Sequence, residues 1–260
     1  MKRLLALALL LALALSLGAC AAKETEKVEL TVFAAASLQE TLTEIGNNYM
    51  AEHENVTLTF NFDSSGTLKT QAEEGAACDV FLSAAEKQLD QLEELGLVNA
   101  ATRRDFLENR VTLCVPEGNP AAIQGFDDLA ARLAAGDVLL AMGNSDVPVG
   151  QYTQKIFAHY GLDEGALASA GVLTYGTNVK EVTAQVAEGS VDCGIVYATD
   201  AYSAGLTVVD TATAELCGQV LYPGAVLSGS AHPAEAAAFL DYLSTPEAMK
   251  IFASVGFSAP

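Results

Sequence analysis

Short apolar runs alternate with amphipathic stretches along this chain, and the alternation predicts an α/β fold. Residues 28–36 are mostly apolar, as in a buried strand. Behind them, apolar side chains recur every three or four residues, as on one face of a helix: Leu38, Leu42, Ile45 and Tyr49. Residues 56–62 alternate between apolar and polar, and similar strand-then-helix units follow to residue 253. This order indicates parallel sheets whose ligands bind beyond the carboxyl ends of the strands.

Turns rich in small residues join a strand to a helix at four places: residues 34–37, 63–66, 147–150 and 176–179. Ser37 has Glu40 three residues later, which is capping-box spacing, so we expect Ser37 to be a helix N-cap. A helix N-terminus presents unpaired N–H groups and the positive end of the helix dipole, and both favour an anion. Two early turns and two in the middle predict two lobes that face a cleft.

The first residues are typical of an export leader. Lys2 and Arg3 precede an uncharged Leu/Ala run at residues 4–17, which is too short to span a bilayer comfortably. Leu17-Gly18-Ala19-Cys20 resembles a bacterial lipobox, which implies cleavage before Cys20 and lipidation of its thiol. We therefore expect residues 1–19 to be a lipoprotein signal peptide and residues 20–27 a tether. An ordinary secretory signal with a chance cysteine is the alternative.

The charge of the chain excludes some partners. Removing residues 1–19 takes away two of the 13 cations and none of the 33 acidic residues, which leaves a formal charge of −22. Such a surface repels nucleic acid and an anionic bilayer face. It also slows the approach of a small anion, so an anion site must rely on local hydrogen-bond donors.

The four other cysteines show no CxxC pair and no Cys/His ligand spacing, so a zinc site is disfavoured: Cys78, Cys114, Cys193 and Cys217. Cys114 and Cys193 lie within apolar strand patterns, and we expect them to be small buried hydrophobes. An exported protein permits disulfides, but the sequence does not pair these cysteines.

Five segments together resemble the molybdate-binding proteins of ABC importers, the ModA family. They are Val32–Leu38, Phe62–Leu68, Asp79–Ala84, Val147–Gly150 and Gly194–Asp200, in the family's order and at suitable spacing. The resemblance covers about residues 28–257.

The resemblance implies a two-lobed, periplasmic-binding-protein-like (type II) fold, each lobe a mixed, mostly parallel sheet flanked by helices. Residues 28–112 and 207–260 would form lobe 1 and residues 113–206 lobe 2, with crossovers near 111–115 and 197–206. The implied function is an extracytoplasmic binding protein that captures molybdate, and tungstate, for an ABC permease. It would be a monomer, anchored to the membrane through lipid on Cys20, without a cofactor and without catalysis.

The resemblance also implies the residues that hold the oxyanion. Ser37 would donate its hydroxyl and N–H, and the turn with Ser65 and Gly66 would supply another pair. Val149 and Val179 would give backbone N–H groups, and Tyr197 its phenol O–H. One family variant has serine where Gly66 stands, so Ser65 is the expected hydroxyl donor. Asp63 is a carboxylate beside this site, where small neutral residues are usual. We expect it to face solvent or to cap the helix.

A shell made only of donors suits a tetrahedral dianion, because every oxygen of molybdate accepts hydrogen bonds. Phosphate near neutral pH keeps a proton that needs an acceptor, and a donor-only shell leaves that proton unsatisfied. Sulfate has the same donor requirements but is smaller, so only the spacing of the donors can exclude it.

Other interpretations remain open. Ser37 and Ser65 could be plain helix caps, and Tyr197 a buried strand aromatic. Lys180 is expected to be a solvated lysine at a helix start, and Asp146 to hold its loop by a local hydrogen bond. A binding protein for another oxyanion, such as sulfate, is the main alternative. A hydrolase is a weaker one, because the nearest approach to the G-x-S-x-G pattern, residues 143–147, lacks the last glycine.

Overall fold

The computed structural model describes residues 26–260. The predicted signal peptide, the lipidation site Cys20 and most of the tether therefore lie outside the described residues. Within this part of the chain, no helix combines the length and the apolar character needed to cross a membrane.

The described chain alternates strands and helices almost throughout. The strands are β1 Val28–Ala35, β2 Val56–Asp63, β3 Val80–Leu82, β4 Arg104–Asn109, β5 Val111–Val115, β6 Leu140–Gly143, β7 Leu173–Gly176, β8 Cys193–Tyr197, β9 Thr207–Thr211 and β10 Val220–Val226. The α-helices are α1 Gln39–Glu52, α2 Ser65–Glu73, α3 Glu86–Glu94, α4 Phe126–Ala135, α5 Pro148–His159, α6 Glu164–Ser169, α7 Val179–Ala187, α8 Ala198–Ser203, α9 Ala214–Cys217, α10 Pro233–Tyr242 and α11 Pro246–Ser254. Short 3-10 helices cover Ala36–Leu38 and Ala100–Thr102.

The strands form two five-stranded sheets of matching design. The first has the order β2-β1-β3-β10-β4 and the second β7-β6-β8-β5-β9. In the first sheet, β1 pairs in parallel with β2 and β3, and β10 runs antiparallel to β3 and β4. In the second, β6 pairs in parallel with β7 and β8, and β5 is the antiparallel strand. The predicted fold of two mixed, mostly parallel sheets flanked by helices is confirmed.

The chain passes between the lobes at two places. The first crossover lies at Arg110, between β4 of the first sheet and β5 of the second. The second follows Thr211, because β9 pairs antiparallel with β5 at the edge of the second sheet. The structure thus puts 111–112 and 207–211 with lobe 2, which differs from the expected boundaries at 112/113 and 206/207. The reason is strand pairing across about a hundred residues, which no local pattern encodes.

The central strands are buried on both faces, which explains their nearly continuous apolar sequences. One buried apolar cluster extends through both lobes and includes Leu30 and Leu42 of lobe 1 and Leu113 and Ile195 of lobe 2. The prediction that Cys114 and Cys193 are buried in strands is confirmed, and all four described cysteines are free thiols. Burial raises the pKa of Cys114 to about 12, so its thiol stays protonated and unreactive.

Candidate functional site

The carboxyl ends of strands from both sheets meet at one small cavity between the lobes. Its volume is only about 10 Å³. Its walls consist of apolar residues, three serines and one tyrosine: Ala35, Ala36, Ser37, Ser64, Ser65, Ala84, Val147, Pro148, Val179 and Tyr197. None of these side chains carries a charge.

Ser37 lies at the end of β1, but it is not the predicted N-cap. It sits inside the 3-10 helix Ala36–Leu38, and the following α1 has no side-chain cap. The Ser37 hydroxyl instead lies 2.9 Å from the Tyr222 Oη, and the Glu40 carboxylate turns away to the other lobe. Both side chains of the expected capping box are therefore engaged in tertiary contacts.

In the second turn of lobe 1, the helix cap is Ser64, one residue before Ser65, the expected hydroxyl donor. Ser64 caps α2 by accepting from the Thr67 N–H, and the Asp63 Oδ1 accepts from the Ser64 N–H at 2.7 Å. Asp63, expected to face solvent or to cap the helix, is partly exposed and is not the cap; its carboxylate holds the N–H of the capping residue. The Ser65 Oγ accepts from the Ala84 N–H at 3.0 Å, so its own hydrogen remains available. The first N–H groups of α2 have no partner within the helix.

Two helices of lobe 2 begin at the opposite wall. Val147 is the N-cap of α5, and Pro148 follows at its first position, where the missing N–H is no loss. Asn178 caps α7 by accepting from the Glu181 N–H, and Val179 is the first residue of that helix. The first residues of both helices therefore line the cavity, and their side chains there are apolar.

Tyr197 closes the cavity at the end of β8. Its hydroxyl donates to the Ala84 carbonyl oxygen, 3.3 Å away in the other lobe. Burial raises the pKa of Tyr197 well above its usual range, with Tyr222 and Tyr152 next in influence, so the phenol keeps its proton. Tyr197 is therefore a donor at any physiological pH.

The lobes approach each other closely beside the cavity. A Cβ atom added to Gly66 would lie 2.0 Å from the carbonyl oxygen of Asp146, which belongs to the loop before α5. Only glycine allows this separation. That loop is held by the side chain of Asn144, which accepts from the Asp146 N–H at 2.9 Å. The predicted roles are thus reversed, with Asn144 rather than Asp146 supplying the side chain.

Lys180 is not the solvated lysine that its position suggested. Its ammonium contacts Glu40 of lobe 1 at 2.8 Å and Asp200 of α8 at 3.0 Å. Asp200 is 1% exposed, and its carboxylate forms an ion pair with the Lys180 ammonium. Burial raises the pKa of Asp200 to about 6, and Lys180 opposes that shift. Burial also opposes the charge on Lys180, but Asp200 and Glu40 raise its pKa by more.

Four of the six predicted oxyanion residues line the cavity: Ser37, Ser65, Val179 and Tyr197. Gly66 and Val149 are both buried, and each is the chain neighbour of a lining residue. Sequence reasoning missed Ala84 as a wall residue, although it belongs to one of the quoted family segments. It also missed Tyr222 and Asn109, which stand behind Ser37 and carry no local signal.

A wider, open groove lies between α3 and α5. Its lining mixes carboxylates with lysines and amides, including Glu86, Asp90, Glu94, Lys87 and Lys155. Carboxylates would repel an oxyanion and lysines would attract it, so this surface lacks the uniform donor character of the small cavity.

The chain is similar to known binding proteins over nearly its whole length. Residues 30–258 match the family model described as bacterial extracellular solute-binding protein. The chain is 34% identical over 236 residues to YvgL of Bacillus subtilis (strain 168), provisionally named an ABC transporter substrate-binding lipoprotein, with 90% of this chain and 88% of YvgL covered. It is 32% identical over 232 residues to the molybdate-binding protein ModA of Mycobacterium tuberculosis (strain ATCC 25618 / H37Rv), with 89% of this chain and 85% of that one covered.

A solved structure shows the same similarity. The substrate-binding domain of a provisionally named molybdenum ABC transporter from Clostridium difficile has a TM-score of 0.67 and 32% identity, covering 90% of this chain and 100% of that one.

Proposed function

This chain belongs to the bacterial extracellular solute-binding protein family, and we propose that it captures molybdate or tungstate for delivery to an ABC importer. The observation that carries the proposal is the cavity, where uncharged donors from both lobes converge and, among the described residues, no charged side chain lines the wall. Molybdate-binding relatives at 32% identity support the same ligand class.

The proposed ligand shell consists of two hydroxyls, a phenol and backbone N–H groups. Ser37 and Ser65 donate from lobe 1, and Tyr197 donates from lobe 2. The N–H groups at the starts of α2, α5 and α7 complete the shell, including those of Gly66, Val149 and Val179. Each hydrogen bond to a charged oxygen contributes about 1.5–3 kcal/mol, and each helix N-terminus adds a fraction of that.

Closure of the lobes is the proposed means of capture. Bonds to one ion from both lobes favour the closed form over an open one, because only the closed form makes all of them. The permease would then recognise that closed form. Binding without chemical turnover accords with the relatives, which are named as binding proteins.

The proposed location is outside the cytoplasmic membrane, with lipid on Cys20 as the anchor. The lipobox-like sequence before Cys20 supports this, and so does the lipoprotein designation of YvgL. We propose that the mature chain acts as a monomer.

Calorimetric titration of the purified mature chain with molybdate, tungstate, sulfate and phosphate tests the function. We expect tight binding of the first two and at least about tenfold weaker binding of the others, because one unmade or misplaced bond to a charged oxygen accounts for about 10- to 150-fold. Equal affinity for sulfate and molybdate would refute discrimination by donor spacing, and tighter binding of sulfate would assign the chain to sulfate. No binding of any of the four anions would refute the proposal.

A further inference from the structure

A buried hydrogen-bond chain lies directly behind Ser37, outside the cavity wall. The Ser37 Oγ is 2.9 Å from the Tyr222 Oη, and the Asn109 Nδ2 donates to that same Oη at 3.2 Å. The Asn109 Nδ2 also donates to the Thr199 Oγ1 at 2.9 Å. The four side chains are at most 6% exposed, so their polar atoms must find partners within the protein.

The backbone sets the direction of this chain. The Arg110 N–H donates to the Asn109 Oδ1 at 2.8 Å, which turns the amide so that its Nδ2 faces Tyr222 and Thr199. The Tyr222 oxygen accepts from Asn109. Either oxygen of the 2.9 Å contact with Ser37 can donate, and donation by Tyr222 is the arrangement that gives its single hydrogen an acceptor. Burial raises the pKa of Tyr222 well above its usual range, so this hydrogen is always present.

The Ser37 hydroxyl is left with one free hydrogen and one place to direct it. Rotating that hydrogen toward Tyr222 would bring it against the phenol hydrogen. The cavity is the remaining direction. Ser65 has the same arrangement with a different partner, since the Ala84 N–H donates to its Oγ at 3.0 Å. Ser37 and Ser65 are thus each supported from behind by a hydrogen-bond partner.

Building on the proposed function, we propose that Tyr222, held by Asn109, is a positioning residue that directs the Ser37 hydroxyl hydrogen into the cavity and thereby selects oxyanions that carry no proton. Molybdate accepts a hydrogen bond at every oxygen, so it matches a serine that is held as a donor. Hydrogen phosphate brings a P–OH group that needs an acceptor, and a serine held in this way does not offer one.

The test compares the wild type with Tyr222→Phe by titration with molybdate and with inorganic phosphate at neutral pH. We expect Tyr222→Phe to weaken molybdate binding about tenfold, the equivalent of one hydrogen bond to a charged group. Phosphate binding should stay unchanged or become tighter, because the freed Ser37 hydroxyl can rotate and accept. The ratio of the two affinities is the measurement that a purely structural role would not alter selectively.

Tyr49→Phe is the matched control. Tyr49 is a second buried tyrosine of lobe 1, 2% exposed, whose ring stacks on His53 away from the cavity. Tyr49→Phe should therefore leave the ratio of molybdate to phosphate affinity unchanged.

Asn109→Ala keeps the Tyr222 hydroxyl but removes the group that donates to it, and we expect a smaller change of the affinity ratio in the same direction. This variant also covers the case in which Tyr222→Phe does not fold.

A double-mutant cycle with Ser37→Ala separates this inference from the proposed function. If Tyr222 acts through Ser37, Tyr222→Phe has no further effect on molybdate affinity once Ser37 is alanine. An equal loss in both backgrounds, or a wild-type affinity ratio in Tyr222→Phe, would overturn the positioning role while molybdate binding by the wild type upholds the function. Absence of molybdate and tungstate binding in the wild type would instead overturn the function itself.

Discussion

The two lobes present hydrogen-bond donors to the cavity in different ways. Lobe 1 lines it with three serines, of which Ser37 and Ser65 have a hydrogen to spare. Lobe 2 lines it with Val147, Pro148 and Val179, whose side chains cannot donate, and with Tyr197. Side chains thus carry much of the proposed recognition in lobe 1, whereas the backbone carries it in lobe 2. Substitutions should therefore affect the two halves of the site differently.

The largest effect is expected where the lobes touch. Gly66→Ala places a methyl group 2.0 Å from the backbone oxygen of Asp146 in the closed form, and backbone cannot move aside cheaply. We expect molybdate binding to weaken about a hundredfold or more, while the melting temperature of the ligand-free protein changes little because open lobes do not clash. Gly229→Ala is the control, since a Cβ there meets no atom within 4 Å. Unchanged affinity in Gly66→Ala would show that the lobes need not close this far.

A backbone donor of lobe 2 can be removed by proline without breaking its helix. Val179 is the first residue of α7, where proline is tolerated, and Asn178 before it already has the extended conformation that proline requires. We expect Val179→Pro to weaken molybdate binding about 10- to 150-fold through loss of one N–H bond to the anion. Val179→Ala keeps the N–H and should bind within about threefold of wild type. Similar affinities for the two variants would contradict backbone recognition.

The matching substitution in lobe 1 acts through a side chain. Ser65→Ala removes a hydroxyl from the cavity and leaves the Ala84 N–H without its acceptor. We expect molybdate affinity to fall about 10- to 100-fold and the ligand-free melting temperature to fall as well. Calorimetry and thermal unfolding measure the two losses separately. An affinity equal to that of wild type would remove Ser65 from the ligand shell.

Tyr197 is the exception in lobe 2, because it donates from a side chain. Tyr197→Phe removes a phenol whose present acceptor, the Ala84 carbonyl, is 3.3 Å away. We expect affinity to weaken by about 1–3 kcal/mol, with little change in the ligand-free melting temperature. Tyr152→Phe is the control, since Tyr152 packs against Tyr197 without lining the cavity. The prediction fails if both variants bind alike.

The contacts of Lys180 with Glu40 and Asp200 should affect the free energy of unfolding more than the affinity for the anion. Asp200 faces Lys180, Glu40 and Tyr222, and its pKa rises from 3.8 to about 6 because it is buried. A raised carboxyl pKa means that the folded state binds the proton more tightly. Its stabilising effect is present below pH 3.8 and is lost as the pH rises through 6.

Asp200→Asn removes this titration. The stability of the variant relative to wild type should therefore increase between pH 4 and 7, by at most about 3 kcal/mol. Urea unfolding across that range measures it. A constant difference between the two proteins would show that Asp200 does not titrate there.

The sequence alone predicted the architecture and four of the residues that line the cavity. The strand-to-helix order, the four small-residue turns and Ser37, Ser65, Val179 and Tyr197 could be identified because each depends on patterns within a few residues, or on family segments that retain them. Local capping was predicted less well. Ser37 satisfies the capping-box spacing, yet its hydroxyl binds Tyr222, 185 residues away.

Only the tertiary structure decided which distant groups meet. It placed β9 in the second sheet, joined Lys180 to Glu40 across the lobes and to Asp200 within lobe 2, and set Gly66 against Asp146. It also put Tyr222 and Asn109 behind Ser37. These contacts depend on how two crossovers fold the lobes against each other. A local pattern specifies the donors, whereas the long-range packing specifies where each donor's hydrogen points.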